Sequence, residues 1–222
     1  MTVSDSDFDG LGFLPHVGSE YWLRDKGLRT LILGEGHYGD SSLDRHSTRK
    51  VIAEISAGVK DPAYSGLVRI AGLKQGNWPS LEIRQSFWNS VAFANYIQEK
   101  VGSHARIRPI KGMWERAQAN FPLLLDLLKP QFILVLGEGV WDHLPLPTRI
   151  SEVTTEAGQK RELRIYSHNG GNTIAFRIRH PSSFGWQYSQ WSKLANAAEQ
   201  CALYYFKLTP SGLEGEEEFM NV

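Results

Sequence analysis

At 222 residues, 41% of them hydrophobic and 22% charged, the chain has the composition of a soluble globular protein and enough length to bury a sizeable core. A single cysteine, Cys201, excludes an internal disulfide and argues against a cysteine-ligated zinc or iron–sulfur centre; no apolar run nears the ~20 residues of a membrane helix, and the acidic start "MTVSDSDFDG" is unlike a signal peptide, so the cytosol is the expected compartment. The formal charge of +0 conceals two acidic ends, 1–10 and 211–222, whose seven carboxylates leave 24 basic and 17 acidic residues between them, a net of +7 that suits either a polyanionic partner or a solvated surface.

In chain order, "LRTLILG" (28–34) is the first buried-strand candidate, short and apolar and ending in glycine. "DRHSTRKVIAEISAGV" (44–59) is amphipathic, with Val51, Ile52 and Ile55 on one side of a helix. "SVAFANYI" (90–97) gives a second strand and "PQFILVLG" (130–137) a third. Between them, "GMWERAQANFPLLLDLLK" (112–129) reads as a helix that Pro122 starts or kinks. Residues 150–172 read as a hairpin-like excursion with one strand candidate, "ELRIYS". "NTIAFRI" (172–178) is the fourth strand, and "SQWSKLANAAEQCALYYF" (189–206) closes the chain with a helix. Residues 211–222 are read as a disordered acidic tail beyond a single domain, 1–210.

Strands alternating with helices predict an α/β fold, a three-layer α/β/α sandwich around a mostly parallel four-stranded sheet. Ligands of such sheets bind beyond the carboxyl ends of the strands. Here those ends run into "GEGHYGD", Asn95-Tyr96, "GEGVWDH" and "RHPSSFGWQYSQW", so these loops are expected to meet at one edge. "LGEGVW" lacks the full glycine pattern and the Lys-Ser/Thr of a phosphate loop, which excludes that reading.

The order "LILGEGHYGD", "VAFANY", "KPQFILVLGEGVW", "HPSSFGW" resembles the uracil-DNA glycosylase superfamily over residues 29 to about 206. Gly34 and Tyr38 match the Gly and Tyr of one branch's first motif, and Glu35 the Glu of the iron–sulfur branch. That branch's cysteines are missing. Gly36 stands where the first branch has a water-positioning Asp and His37 where it has Pro, so the resemblance is to a divergent branch. It implies a DNA glycosylase that flips out and excises uracil or a modified cytosine, with no metal or cofactor. The partner would be DNA, duplex or single-stranded, and the protein a monomer without membrane attachment.

The resemblance also assigns roles. Asn95 reads the base edge with its amide, although an Asn at a strand end is commonly a turn or cap residue. His180 donates to the base oxygen as a neutral imidazole, or simply bonds loop backbone. Glu35 orients water or stabilises the sugar cation, or caps the following helix; Asp40 and His37 are its rivals. Tyr38 walls the pocket beside position 5 of a pyrimidine, or belongs to the core; Gly36 and Trp88 are the further base-binding candidates. Ser182 and Ser183 bind flanking phosphates, and Phe184 or Trp186 fills the gap left by the flipped base. Trp78, Phe87 and Trp88 are stacking candidates with core packing as the simpler fate. Arg106, Arg108, Lys111 and Arg116 are candidate phosphate contacts.

Overall fold

The strands are, in chain order, β1 (His16–Val17), β2 (Thr30–Gly34), β3 (His37–Tyr38), β4 (Ala92–Asn95), β5 (Lys100–Gly102), β6 (Phe132–Leu136), β7 (Arg149–Thr154), β8 (Lys160–His168) and β9 (Gly171–Ile178). The helices are α1 (Ser47–Ser56), α2 (Pro62–Leu67), α3 (Leu81–Ser90), α4 (Lys111–Leu128), α5 (Glu138–Asp142) and α6 (Tyr188–Leu208). The structure, a computed structural model, describes residues 4–23, 27–39, 44–72, 78–104, 107–154, 158–183 and 187–208. Asp40, Arg106, Phe184, Trp186 and the 211–222 tail lie outside the described residues.

The four apolar runs form four neighbouring parallel strands, β4-β2-β6-β9. Their side chains alternate between two cores, as strand geometry requires. Leu31, Leu33, Ala92, Ala94, Ile133, Val135 and Ala175 join the α4 residues Trp114, Phe121, Leu124 and Leu128 in one cluster. Ile32, Phe93, Leu134, Ile174 and Phe176 join Ile52, Phe87, Trp88, Leu194 and Ala198 in the other. Burial on both faces explains why these strands read as continuous apolar runs.

The sheet has seven strands rather than the four expected. A two-residue β1 adds antiparallel to β4, and the 150–172 excursion supplies two strands, β8 and β7, both antiparallel additions beyond β9. β7 has no apolar signature in the sequence, because only Val153 of its six residues is buried. β3 and β5 form a separate parallel pair.

Pro122 neither starts nor ends α4, which runs through it. Its ring is exposed, so water can satisfy the carbonyl that loses its partner. The acidic amino-terminal residues are no free tail either. A 3-10 turn, Asp5–Phe8, buries Phe8 in the first cluster, while Asp5 and Asp9 pair with Arg49 at 2.7 Å and Arg45 at 3.3 Å. Those contacts neutralise part of the basic excess counted from composition.

Counted in chain order, the parallel strands lie second-first-third-fourth. The order reverses between β2 and β6, which places a crevice beyond their carboxyl ends.

Candidate functional site

Beyond the sheet, the chain leaving β2 and the chain leaving β4 remain zipped. Tyr96 N–H donates to the Gly34 carbonyl at 2.8 Å, and Ile97 N–H to that of Glu35 at 2.9 Å. Gly34 opposes Asn95 in the register and must lack a side chain, because a Cβ there would lie 2.6 Å from Asn95 Oδ1. Asn95 is 5% exposed. Its side-chain amide has no hydrogen-bond partner among the described residues, yet neither polar atom is sealed from solvent.

The Glu35 carboxylate is held at both oxygens. Tyr38 Oη donates to Oε1 at 3.2 Å, and Arg108 Nη2 lies 3.3 Å from Oε2. With the Arg108 side chain 68% exposed, this ion pair stabilises the fold by at most about 1 kcal/mol, so its effect is to fix geometry. Gly139, in the first turn of α5, leaves room for the pair, since a Cβ there would sit 2.8 Å from both Arg108 Nη2 and Glu35 Oε2. Burial, then the neighbouring Glu35 charge, raises the Tyr38 hydroxyl above its ordinary pKa and keeps it a donor.

His180 follows β9 after Arg179. Ser182 N–H donates to its Nδ1 at 3.2 Å, and Ser182 Oγ lies 2.7 Å from the same atom. A nitrogen that accepts a backbone N–H carries no proton, which leaves Nε2 as the protonated donor of the neutral ring. Burial lowers the His180 pKa. The carboxylates of Glu35 and Asp61 act in the opposite direction but are outweighed. The ring is therefore neutral at pH 7. Asp61 is in turn fixed by capping α2, accepting from Ala63 and Tyr64 N–H.

Other expected residues sit elsewhere. His37 does not join Glu35: its Nε2 lies 2.8 Å from the buried Thr48 hydroxyl, with Phe13 edge-on at 4.7 Å. Burial, with a smaller contribution from Lys100, lowers its pKa to about 4. Gly36 faces the interior: a Cβ there would lie 2.8 Å from Val101 Cγ2 and 3.3 Å from Ile97 Cβ. Trp88 is 1% exposed among Phe87, Phe93 and Tyr64, so it is a core residue and presents no stacking face. Lys111, 90% exposed, faces Glu115 one helical turn on, and Arg116 pairs with Glu99. Ser183 N–H donates to the His180 carbonyl at 2.9 Å, which closes the loop.

Glu35, Asn95 and His180 thus follow or end three of the four parallel strands at one edge. Together they offer a held carboxylate, an open amide and a neutral imidazole donor. Sequence reasoning did not foresee Arg108 as the partner of Glu35, Gly139 as the space for that pair, or Asp61 as a charge acting on His180. Among the described residues, no three His, Cys, Asp or Glu side chains cluster as a metal site would require, and no helix is long and apolar enough to cross a membrane. No family model matches the chain, and no curated protein matches it.

Proposed function

We propose that the protein is a DNA glycosylase that hydrolyses the N-glycosidic bond of a flipped-out uracil or modified cytosine, on an α/β/α layering built around the four parallel strands. The open amide of Asn95, buried beside Gly34 at the end of the strand that neighbours the one running into Glu35, is the observation that carries this reading. An amide presents one donor group and one acceptor, which suits the edge of a pyrimidine. As the C1′–N bond breaks, its electron pair leaves with the base, and the His180 Nε2–H stabilises the charge gathering on the base oxygen. Glu35 faces the positive charge developing on the sugar or orients the water that adds to C1′. The proton released by that water reaches the departing base through solvent.

The test is incubation of the full chain with oligonucleotides carrying uracil, hypoxanthine, or hydroxymethylated or glucosylated cytosine, followed by alkali cleavage at abasic sites. Strand cleavage at the modified position is the expected result; none in any oligonucleotide overturns the reading. A second reading, a nucleic-acid binding module that recognises a base without cleaving it, is favoured by Gly36. The space beside that residue is filled by Val101 and Ile97, which leaves no place for a water-positioning carboxylate there.

A further inference from the structure

Among the described residues Trp78 is the one exposed aromatic side chain, at 66%. It is not a stray surface residue. The guanidinium carbon of Arg69 lies 5.3 Å from its ring centroid and 3.7 Å from that of Tyr188, so one cation bridges two aromatic plates. Arg69 sits on a π-helical stretch, Val68–Gly72, a local irregularity often found at functional positions. Tyr188 connects this assembly to the candidate site. Gly66 on α2 lets Tyr188 approach, since a Cβ there would lie 3.1 Å from Tyr188 Cε1, and Pro181 Cβ packs against the same position at 3.5 Å. Pro181 directly follows His180. Contacts thus run from Pro181 of the His180 loop through Tyr188 and Arg69 to Trp78.

We propose that Trp78, backed by Arg69 and Tyr188, is a stacking platform for an unpaired nucleobase of a single strand passing the candidate site. An indole face beside a guanidinium matches such a base: the flat face stacks on any base, and the cation favours the adjoining phosphates. In a continuous duplex both faces of a base are already stacked, so the platform selects unpaired nucleotides. This inference rests on the glycosylase reading only for the identity of the neighbouring site.

The test uses undamaged probes, an oligothymidine and an oligomer of the same length made entirely of abasic residues, titrated against full-length protein by tryptophan fluorescence and anisotropy. Wild type is expected to bind oligothymidine more tightly than the abasic oligomer and to show indole quenching. Trp78→Ala should lose roughly 10-fold in affinity for oligothymidine and little for the abasic oligomer, and Trp78→Phe should recover most of that loss. Equal oligothymidine affinity in wild type and Trp78→Ala, or an equal loss on both probes, overturns the platform. Because neither probe carries an excisable base, absence of excision in the alkali assay would defeat the glycosylase reading and leave this result standing.

Discussion

The two sides of the candidate site are built in opposite ways. Glu35 is positioned from a distance: Arg108 and Gly139 flank its carboxylate and Ile97 holds its carbonyl, all from other parts of the chain. Only Tyr38 is local. His180 is held by hydrogen bonds from within three residues, through Ser182 and Ser183. A locally built loop can keep its geometry while the rest of the protein varies. A side chain assembled from remote partners depends on several elements meeting correctly. Substitutions should therefore be felt very differently on the two sides.

The largest effects are expected from the groups themselves. His180→Ala and Glu35→Gln should each lose on the order of 10²–10³ in single-turnover excision, with DNA affinity nearly intact. If both serve one transition state, as proposed, the double variant should fall short of the product of the two losses. Wild-type rates in both single variants would remove them from the chemistry.

Gly139→Ala probes the remote side. The added methyl displaces only the flexible ends of Arg108 and Glu35, while alanine favours the helix by about 1 kcal/mol. Excision should fall roughly 10-fold, as expected for a misplaced preorganised group, while Tm stays level or rises. A falling Tm with unchanged excision would contradict that account. On the local side, Ser182→Ala removes the hydroxyl contact but leaves the backbone N–H on Nδ1, so a loss of only about 5-fold is expected, the worth of one hydrogen bond.

His37 gives a pH test separate from the chemistry. Its folded pKa is near 4 against an ordinary 6.5, so the unfolded chain takes up a proton first as pH falls. Its contribution to stability is complete above about pH 6.5 and is lost as pH falls toward 4. His16, His168 and His180 are lowered by burial too and act in the same direction. Urea midpoints measured across that window should decline, and His37→Asn should reduce the slope without abolishing it. The smallest effect belongs to the acidic tail: removing residues 211–222 should leave DNA affinity unchanged or slightly tighter in a salt titration.

What the sequence revealed follows the same division. The parallel strands were legible because burial on both faces leaves unbroken apolar runs, as in "FILVL" and "TLILG". The His180 loop was legible because its structure is written in consecutive residues. β7 was not, since its charged, alternating residues are those of an exposed edge strand. Trp88 was ambiguous because an aromatic on a helix reads alike whether it faces a ligand or a core. The Arg108–Glu35 pair had no local signature at all, because only the return of α4 and α5 to the β2 edge brings its surroundings together.

The small β3–β5 pair has a consequence for how the molecule breathes. It shares no strand with the main sheet, and it is extended by Gly39 N–H donating to the Gly102 carbonyl at 2.8 Å. The amides of this pair should therefore trade hydrogen for deuterium as one cooperative unit, well ahead of Ile32 and Leu134 in the main sheet. Tyr38 belongs to that unit, so each such opening would release the Glu35 carboxylate on one side while Arg108 still holds the other.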